Sequence, residues 1–210
     1  MKTLILIIRY LIAAVFLFSG FVKGVDPLGT AYKIEDYFIA YTMDWALPLS
    51  LIIAFGLIAL ELSLGLLLIF NLLPKFTRVV LAVLMLFFTF VTLYDALYIP
   101  VPDCGCFGDA ITLTPWETFY KNIILIVMIA FLLLRLDHVK SIFSDKASKI
   151  LIYISLAWFL YITYHVLLHL PIIDFRAYAV GKNIPEGMEF VGNEMPKIHD
   201  FYLEDAQNDL

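Results

Sequence analysis

Long apolar stretches alternate with short polar segments along the chain up to about residue 170. Five stretches, 3–22, 46–72, 79–98, 121–136 and 150–170, approach or exceed the roughly 20 residues that a membrane-spanning helix needs. The fourth is the shortest, and its helix is expected to begin at Pro115 with Thr114 as the N-cap. The pattern predicts an all-α membrane protein with a four-helix transmembrane bundle and a fifth transmembrane helix.

Composition supports this class of protein. Apolar residues make up 62 % of the chain and charged residues 16 %, whereas soluble domains average about 45–50 % and about 25 %. No basic patch suited to a phosphate backbone is present, so a nucleic-acid partner is not expected. The lipid bilayer is the first partner that the sequence predicts.

Charge in the connecting segments predicts the orientation. The segments 73–78 and 137–149 carry lysine and arginine. The alternate loops are acidic, with Asp26, Glu35, Asp36 and Asp44 in the first and Asp103, Asp109 and Glu117 in the second. Because positive loops stay in the cytoplasm, the N-terminus is expected there. The loop 99–114 and the C-terminal tail are then periplasmic, in a bacterial inner membrane.

The segment 28–45 is predicted to form an amphipathic helix. One face carries Ile34, Tyr37, Phe38, Tyr41 and Trp45, and the other carries Lys33, Glu35, Asp36 and Asp44. Such a helix lies in the membrane interface with its rings at headgroup depth. We expect it to cover the bundle near the loop 99–114, although a helix that only contacts lipid has the same pattern.

The loop 99–114 contains the two cysteines of the chain, Cys104 and Cys106, separated by Gly105. A disulfide between them requires a bent backbone, which glycine permits. The bridge would constrain little chain, and such exposed, strained bridges are readily reduced. A redox-active pair is therefore favoured, while a soft-metal site and two inert thiols remain as alternatives.

Four ionisable residues near or within the spans extend the set of candidates. His165 and His169 share a helix face and could bind a quinone carbonyl, shuttle a proton, complete a Cys/His metal site or contact headgroups. Arg9 and Glu61 overlap in depth and are expected to form a structural ion pair.

Asp95 lies about one turn from the periplasmic end of the third span, close in depth to the cysteines. It is a candidate catalytic proton handler beside Cys104 and Cys106, although it could also reach out to water. Phe107 and Trp116 could form the floor of a quinone pocket, although aromatic belts are expected at this depth in any case.

The run Asp103-Cys-Gly-Cys-Phe-Gly-Asp109 resembles the CGCFG signature of MauE-type membrane proteins, within the wider DoxX-like group. Arg9 with residues 19–23, and residues 61–68, also match, so that the resemblance covers roughly residues 5–136. It implies a bundle similar to that of quinone-linked thiol oxidoreductases such as vitamin K epoxide reductase. It also implies an extracytoplasmic thioredoxin-like partner.

Three regions are expected: a DoxX/MauE-like domain at 1–136, a cytoplasmic loop with the fifth span at 137–170, and a polar tail at 171–210. The end of the tail resembles the first strand of a TlpA-like thioredoxin domain. The predicted function is thiol–disulfide exchange between that partner and quinone through Cys104 and Cys106. Disulfide-generating membrane oxidases generally carry a second cysteine pair, which this sequence lacks. A non-catalytic subunit or anchor of a membrane complex, or a Cys/His metal-binding membrane protein, is therefore the alternative.

Overall fold

The computed structural model describes residues 2–98, 101, 104–134, 144–169 and 173. These residues form six α-helices and two short 3₁₀ helices, with no strand among them. The α-helices are α1 (Lys2–Val25), α2 (Pro27–Ala40), α3 (Ser50–Phe70), α4 (Pro74–Tyr98), α5 (Pro115–Leu134) and α6 (Asp145–Leu168); the 3₁₀ helices are Asp44–Leu49 and Gly108–Ala110.

Five helices of the described chain are long and apolar enough to cross a membrane: α1, α3 with the 3₁₀ helix before it, α4, α5 and α6. The predicted all-α membrane architecture is therefore confirmed. The start predicted for α5 is also confirmed, because Thr114 and Glu117 form a reciprocal cap. Glu117 accepts from the Thr114 backbone at 2.9 Å, and its own backbone donates to Thr114 Oγ1 at 3.4 Å.

The predicted loop 73–78 is wrong, because α4 begins at Pro74. Asn71 ends α3 in the left-handed conformation, and a proline at the first helical position starts the next helix without losing a hydrogen bond. Arg78 therefore lies within the helix. It is buried, and its Nη1 donates to the Leu132 carbonyl at 3.2 Å.

The spanning helices form two closely packed pairs, α1 with α3 and α4 with α5, while α3 and α4 touch far less. Small residues allow the first pair to approach. A Cβ on Gly65 would stand 2.6 Å from Leu17 Cγ, and one on Gly20 would stand 2.9 Å from Leu62 Cγ. The main apolar core lies towards the start of α1 and includes Ile5, Ile12, Leu68, Leu81, Ile129 and Leu132.

The amphipathic helix predicted at 28–45 is present as α2, but it ends at Ala40. Thr42 follows with a φ of 54°, which breaks the helical path. Trp45 therefore lies in the next 3₁₀ helix and is 75 % exposed. It does not continue the aromatic face of α2, as the sequence pattern had predicted.

The chain from Met1 to Arg176 forms one compact unit, which includes α6 packed against α1, α2 and α3. Of the predicted tail at 171–210, only Ile173 is among the described residues. The expected start of a thioredoxin-like domain therefore lies outside them.

Candidate functional site

The cysteine pair lies between α4 and α5 on a tight turn. The sulfur atoms of Cys104 and Cys106 are in bonding contact, and their Cα atoms are 5.5 Å apart, which suits a disulfide. Gly105 has a φ of +60°, a conformation that costs other residues energy, and its carbonyl accepts from the Gly108 backbone at 3.1 Å. The bend predicted at Gly105 is confirmed.

A buried ionic cluster holds this turn against the bundle. Lys23 Nζ lies 3.0 Å from both carboxylate oxygens of Glu61, and it donates to Ser19 Oγ at 2.6 Å and to the Cys106 carbonyl at 2.7 Å. Ser19 Oγ also donates to that carbonyl at 2.6 Å. Both charged side chains are about 5 % exposed. A buried ion pair needs further hydrogen bonds to offset its lost hydration. The bonds from Lys23 to Ser19 and to the Cys106 carbonyl supply them.

The expected pair between Arg9 and Glu61 is wrong, since Glu61 bonds to Lys23. The register of the two antiparallel helices explains why. Gly20 faces Leu62 and Leu17 faces Gly65, so Glu61 lies level with the end of α1 that carries Lys23. In the same register, the level of Arg9 falls beyond the end of α3 at Phe70.

A cavity of about 600 Å³ lies beside the cysteine pair. The roof comes from α2, and the walls come from α1, α3, α4 and α5. Its lining is mostly apolar, with polar groups at the cysteine end: Ser19, Lys23, Thr30, Lys33, Glu61, Thr92, Lys121, Asn122 and the pair itself. An apolar chamber of this size with a few convergent polar groups is typical of a small-molecule site.

Of the predicted quinone contacts, Phe107 lines this cavity and the others do not. The Phe107 ring lies 5.5 Å from that of Phe18, and Lys121 Nζ lies 4.6 Å from its centre. Trp116 is 44 % exposed and stacks on Tyr120. His165, in the last turn of α6, and the C-cap residue His169 stack on each other at 4.3 Å, and neither lines the cavity.

Asp95 is buried and does not line the cavity, but it is bonded to two residues that do. The hydroxyl of Tyr37 donates to its carboxylate at 2.8 Å, and the hydroxyl of Tyr41 donates at 3.0 Å. Burial and the bond to Asp95 raise the pKa of Tyr41 well above its usual range. These bonds attach the roof helix α2 to α4.

Sequence reasoning missed the polar residues that surround the cysteines. Lys23 and Ser19, four residues apart near the end of an apolar run, were visible as a possible pair on one helix face. Lys33 was placed on the polar face of α2, which is wrong, because it lines the cavity and its Cγ lies close to Gly105. Lys121 and Asn122 open a predicted span and gave no signal of their own.

The described residues contain no group of three or more His, Cys, Asp or Glu side chains placed to hold a metal ion. In the described part of the chain, the histidines of α6 and the cysteine pair therefore do not combine into the Cys/His set that the sequence left open.

The fold and this site define a multi-pass membrane protein whose paired cysteines face an apolar chamber. The family of the methylamine utilisation protein MauE matches residues 1–135. The chain belongs to this family, as its sequence resemblance had indicated. No curated protein and no solved structure matches the chain.

Proposed function

We propose that this protein is a membrane thiol–disulfide redox protein that passes electrons from an extracytoplasmic thioredoxin-like dithiol to quinone. The observation that carries the proposal is the position of Cys104 and Cys106 on the wall of the apolar cavity. A lipid-soluble oxidant could there reach the sulfur atoms without crossing water. One cysteine pair would then serve both the protein partner and the quinone.

The reaction balances with these groups alone. A partner thiolate attacks one sulfur of the disulfide, the other sulfur leaves as a thiolate, and a mixed disulfide forms. The second partner thiol resolves it, leaving the partner oxidised and Cys104 and Cys106 as thiols. The pair then gives two electrons and two protons to the quinone, which becomes the quinol as the disulfide re-forms.

Charge around the pair supports this chemistry. Lys33 and Lys121 line the same cavity wall as the cysteines, beside the pair formed by Lys23 and Glu61. Cations beside a thiol favour the reactive thiolate, and an ammonium group stabilises negative charge on a quinone oxygen. Lys23 and Ser19 fix the Cys106 carbonyl, so the turn is held while bonds to sulfur change.

Proton transfer is assigned to Asp95 through Tyr37 and Tyr41. The two hydroxyls reach from the cavity wall to the buried carboxylate. They could relay a proton between the cavity and Asp95. Phe107 is retained as a contact for the quinone ring, and Trp116, His165 and His169 are not assigned to the site.

The proposed orientation places the cysteine end in the periplasm. Lys75, Lys146 and Lys149 lie at the opposite end, while Asp26, Asp36 and Asp44 lie at the cysteine end. The positive-inside rule then gives a cytoplasmic N-terminus in the inner membrane. A periplasmic cysteine pair lies in a compartment where disulfides persist.

Differential alkylation of Cys104 and Cys106 in isolated membranes tests the proposal. The membranes are reduced, washed and treated with a short-chain quinone, and the dithiol fraction is measured by mass spectrometry. We expect quinone to oxidise the pair in the full chain, and to do so equally in a His165→Ala/His169→Ala control. A pair that keeps its redox state would instead support a non-catalytic membrane subunit.

Variants of the pair then test the exchange step. In Cys104→Ser and Cys106→Ser proteins, the one remaining thiol should still attack the disulfide form of a thioredoxin-like partner, forming a mixed disulfide and releasing a partner thiol, but it cannot complete the cycle. Trapped adducts in one single variant would also identify the attacked sulfur. Retained partner oxidation in both variants would contradict the proposal.

A further inference from the structure

The cavity has an opening on the side of the bundle. Of the residues that line it, only Ile53 and Phe87 are also exposed, at 41 % and 60 %. Ile53 lies on α3 and Phe87 on α4, the two helices that pack loosely against each other. The lining residues on α1 and α5 are buried or half-buried. The exposure of these two residues therefore points to an entrance between α3 and α4.

This entrance lies at membrane depth. Phe87 precedes the end of α4 at Tyr98 by about 17 Å at the helical rise of 1.5 Å per residue. It is also well beyond the start of α4 at Pro74, so it falls in the middle of an apolar span. The neighbouring wall residues Leu57, Leu84 and Phe88 are apolar too. A ligand passing here would come from the hydrocarbon layer.

The two ends of the cavity differ in chemistry. The entrance is formed by aliphatic and aromatic side chains, whereas Lys121 and Asn122 lie on the wall at the cysteine end. Lys121 Nζ lies over the Phe107 ring, which holds the ammonium group beside the cysteine turn. The Lys121 ammonium group can only donate, and the Asn122 amide, whose Nδ2 donates to Thr92 Oγ1 at 3.2 Å, has a second N–H, so this wall favours a head that carries acceptor oxygens. An apolar tail would extend from that head towards the entrance.

We propose that the cavity takes a prenyl-tailed quinone directly from the bilayer through the gap between Ile53 and Phe87. The quinone carbonyls lie beside Lys121, Asn122 and the cysteine pair, and the tail leaves between α3 and α4 into lipid. This inference rests on the proposed function for the identity of the head. The lateral route itself rests on the exposure of Ile53 and Phe87.

Narrowing the entrance tests the route. Ile53→Trp adds bulk at the gap, and Ile52→Trp is its matched control, since Ile52 is 68 % exposed and does not line the cavity. We expect Ile53→Trp to slow oxidation of the reduced cysteine pair by a long-tailed ubiquinone by about tenfold or more, since overpacking raises the barrier. Oxidation by a tail-less but fully substituted quinone such as tetramethylbenzoquinone, which offers no open ring position for thiol addition, should be slowed much less. Ile52→Trp should affect neither rate. Equal rates in Ile53→Trp and the control would overturn the lateral route while leaving the redox function in place.

A photochemical measurement tests the route without using redox activity. The crosslinking residue p-benzoylphenylalanine replaces Phe87 or, as the control, Phe90, which is 72 % exposed and does not line the cavity. The full chain is reconstituted in phospholipid vesicles containing long-tailed ubiquinone and irradiated. Quinone adducts enriched at position 87 over position 90 are expected. Phospholipid adducts alone, or equal quinone adducts at the two positions, would overturn the proposed occupant even if the cysteine pair proves inert to quinone.

Discussion

Two charges buried towards opposite ends of the helical bundle, those of Lys23 and Arg9, are bonded in different ways. At the cysteine end, Lys23 bonds to Glu61, Ser19 and the carbonyl of Cys106. Towards the start of α1, Arg9 is 2 % exposed, and its Nη2 donates only to the hydroxyl of its neighbour Tyr10 at 3.2 Å. Its Nε and Nη1 have no partner among the described residues. One charge is thus fully bonded and the other is mostly not.

The difference shows what each charge contributes. Burying a charge costs several kcal/mol unless bonds compensate. At the cysteine end those bonds also fix the turn that carries the two sulfur atoms, so the buried charge positions the cysteine pair. At the Arg9 end the surroundings are a packed apolar core, and no turn or cavity is held by the guanidinium within the described residues. We therefore expect substitutions at the two ends to have opposite effects.

Removing Glu61 should have the largest effect. In Glu61→Leu, Lys23 keeps its charge in a buried site without its counter-ion, which costs about 3–5 kcal/mol. We expect a clear fall in the midpoint of thermal or denaturant unfolding of the detergent-solubilised protein. Faster alkylation of the reduced cysteines should accompany it, because the Cys106 carbonyl is no longer held as firmly.

The double variant Lys23→Met/Glu61→Leu separates the effect of the ion pair on protein stability from its effect on the position of the cysteine turn. Replacing both members of a buried pair with apolar groups is often neutral or stabilising, so most of the lost stability should return. The Cys106 carbonyl would still lack its lysine donor, so fast alkylation should persist. If the double variant stayed as unstable as the single one, the ion pair would not be the cause of the loss.

Arg9→Met should show the opposite sign. Methionine fills similar space, and it removes a guanidinium group with two unpartnered nitrogens. The free energy of unfolding is expected to stay the same or to rise by up to about 2 kcal/mol, and the unfolding midpoint should change in the same direction. A fall as large as that of Glu61→Leu would show that Arg9 is bonded to something beyond the described residues, and the contrast between the two ends would then fail.

The architecture could be read from the sequence because the membrane imposes it. Runs of about 20 apolar residues must be helical when no water can satisfy the backbone, and the five predicted spans correspond to α1, α3, α4, α5 and α6. The cap at Thr114 and the bend at Gly105 were also predictable, since each depends on residues next to each other in the chain. The start of α4 differs from the prediction because Lys75 and Arg78, whose charges favour a loop, lie within the helix, where Arg78 donates to the Leu132 carbonyl.

The site was predicted only in part because it depends on the register between helices. The cysteines and Phe107 were found from their local motif. The pairing of Lys23 with Glu61 required knowing that Gly20 faces Leu62, and depth estimates along single helices could not supply that. The inward position of Lys33 was missed because a two-faced pattern does not show which polar residue at its edge will face a cavity.

Gly105→Ala should weaken the cysteine end by a smaller amount. A residue with a Cβ pays about 1–2 kcal/mol at a positive φ, and this Cβ would stand 3.0 Å from Lys33 Cγ. We expect a lower unfolding midpoint for Gly105→Ala. Gly56→Ala is the control, since its Cβ would meet nothing within 4 Å and alanine favours the helix. Equal midpoints for the two variants would mean that the turn is not fixed in this conformation.

Tyr41→Phe should have the smallest effect, through loss of one hydrogen bond to Asp95. The cost is about 0.5–1.5 kcal/mol, because Asp95 keeps its bond from Tyr37. Tyr98→Phe is the control because Tyr98 is 68 % exposed. A pH profile gives a second measurement, because the pKa of Tyr41 is raised in the folded protein. The protonated Tyr41 hydroxyl contributes its full stabilisation below the ordinary tyrosine pKa of about 10. This contribution declines as pH rises above that value, because the unfolded chain loses the proton first. Unfolding midpoints measured between about pH 9 and 11 should therefore fall more steeply in the unsubstituted protein than in Tyr41→Phe. Parallel pH profiles would show that the hydroxyl of Tyr41 does not stay protonated against Asp95, and α2 would then be attached to the cysteine end by other contacts.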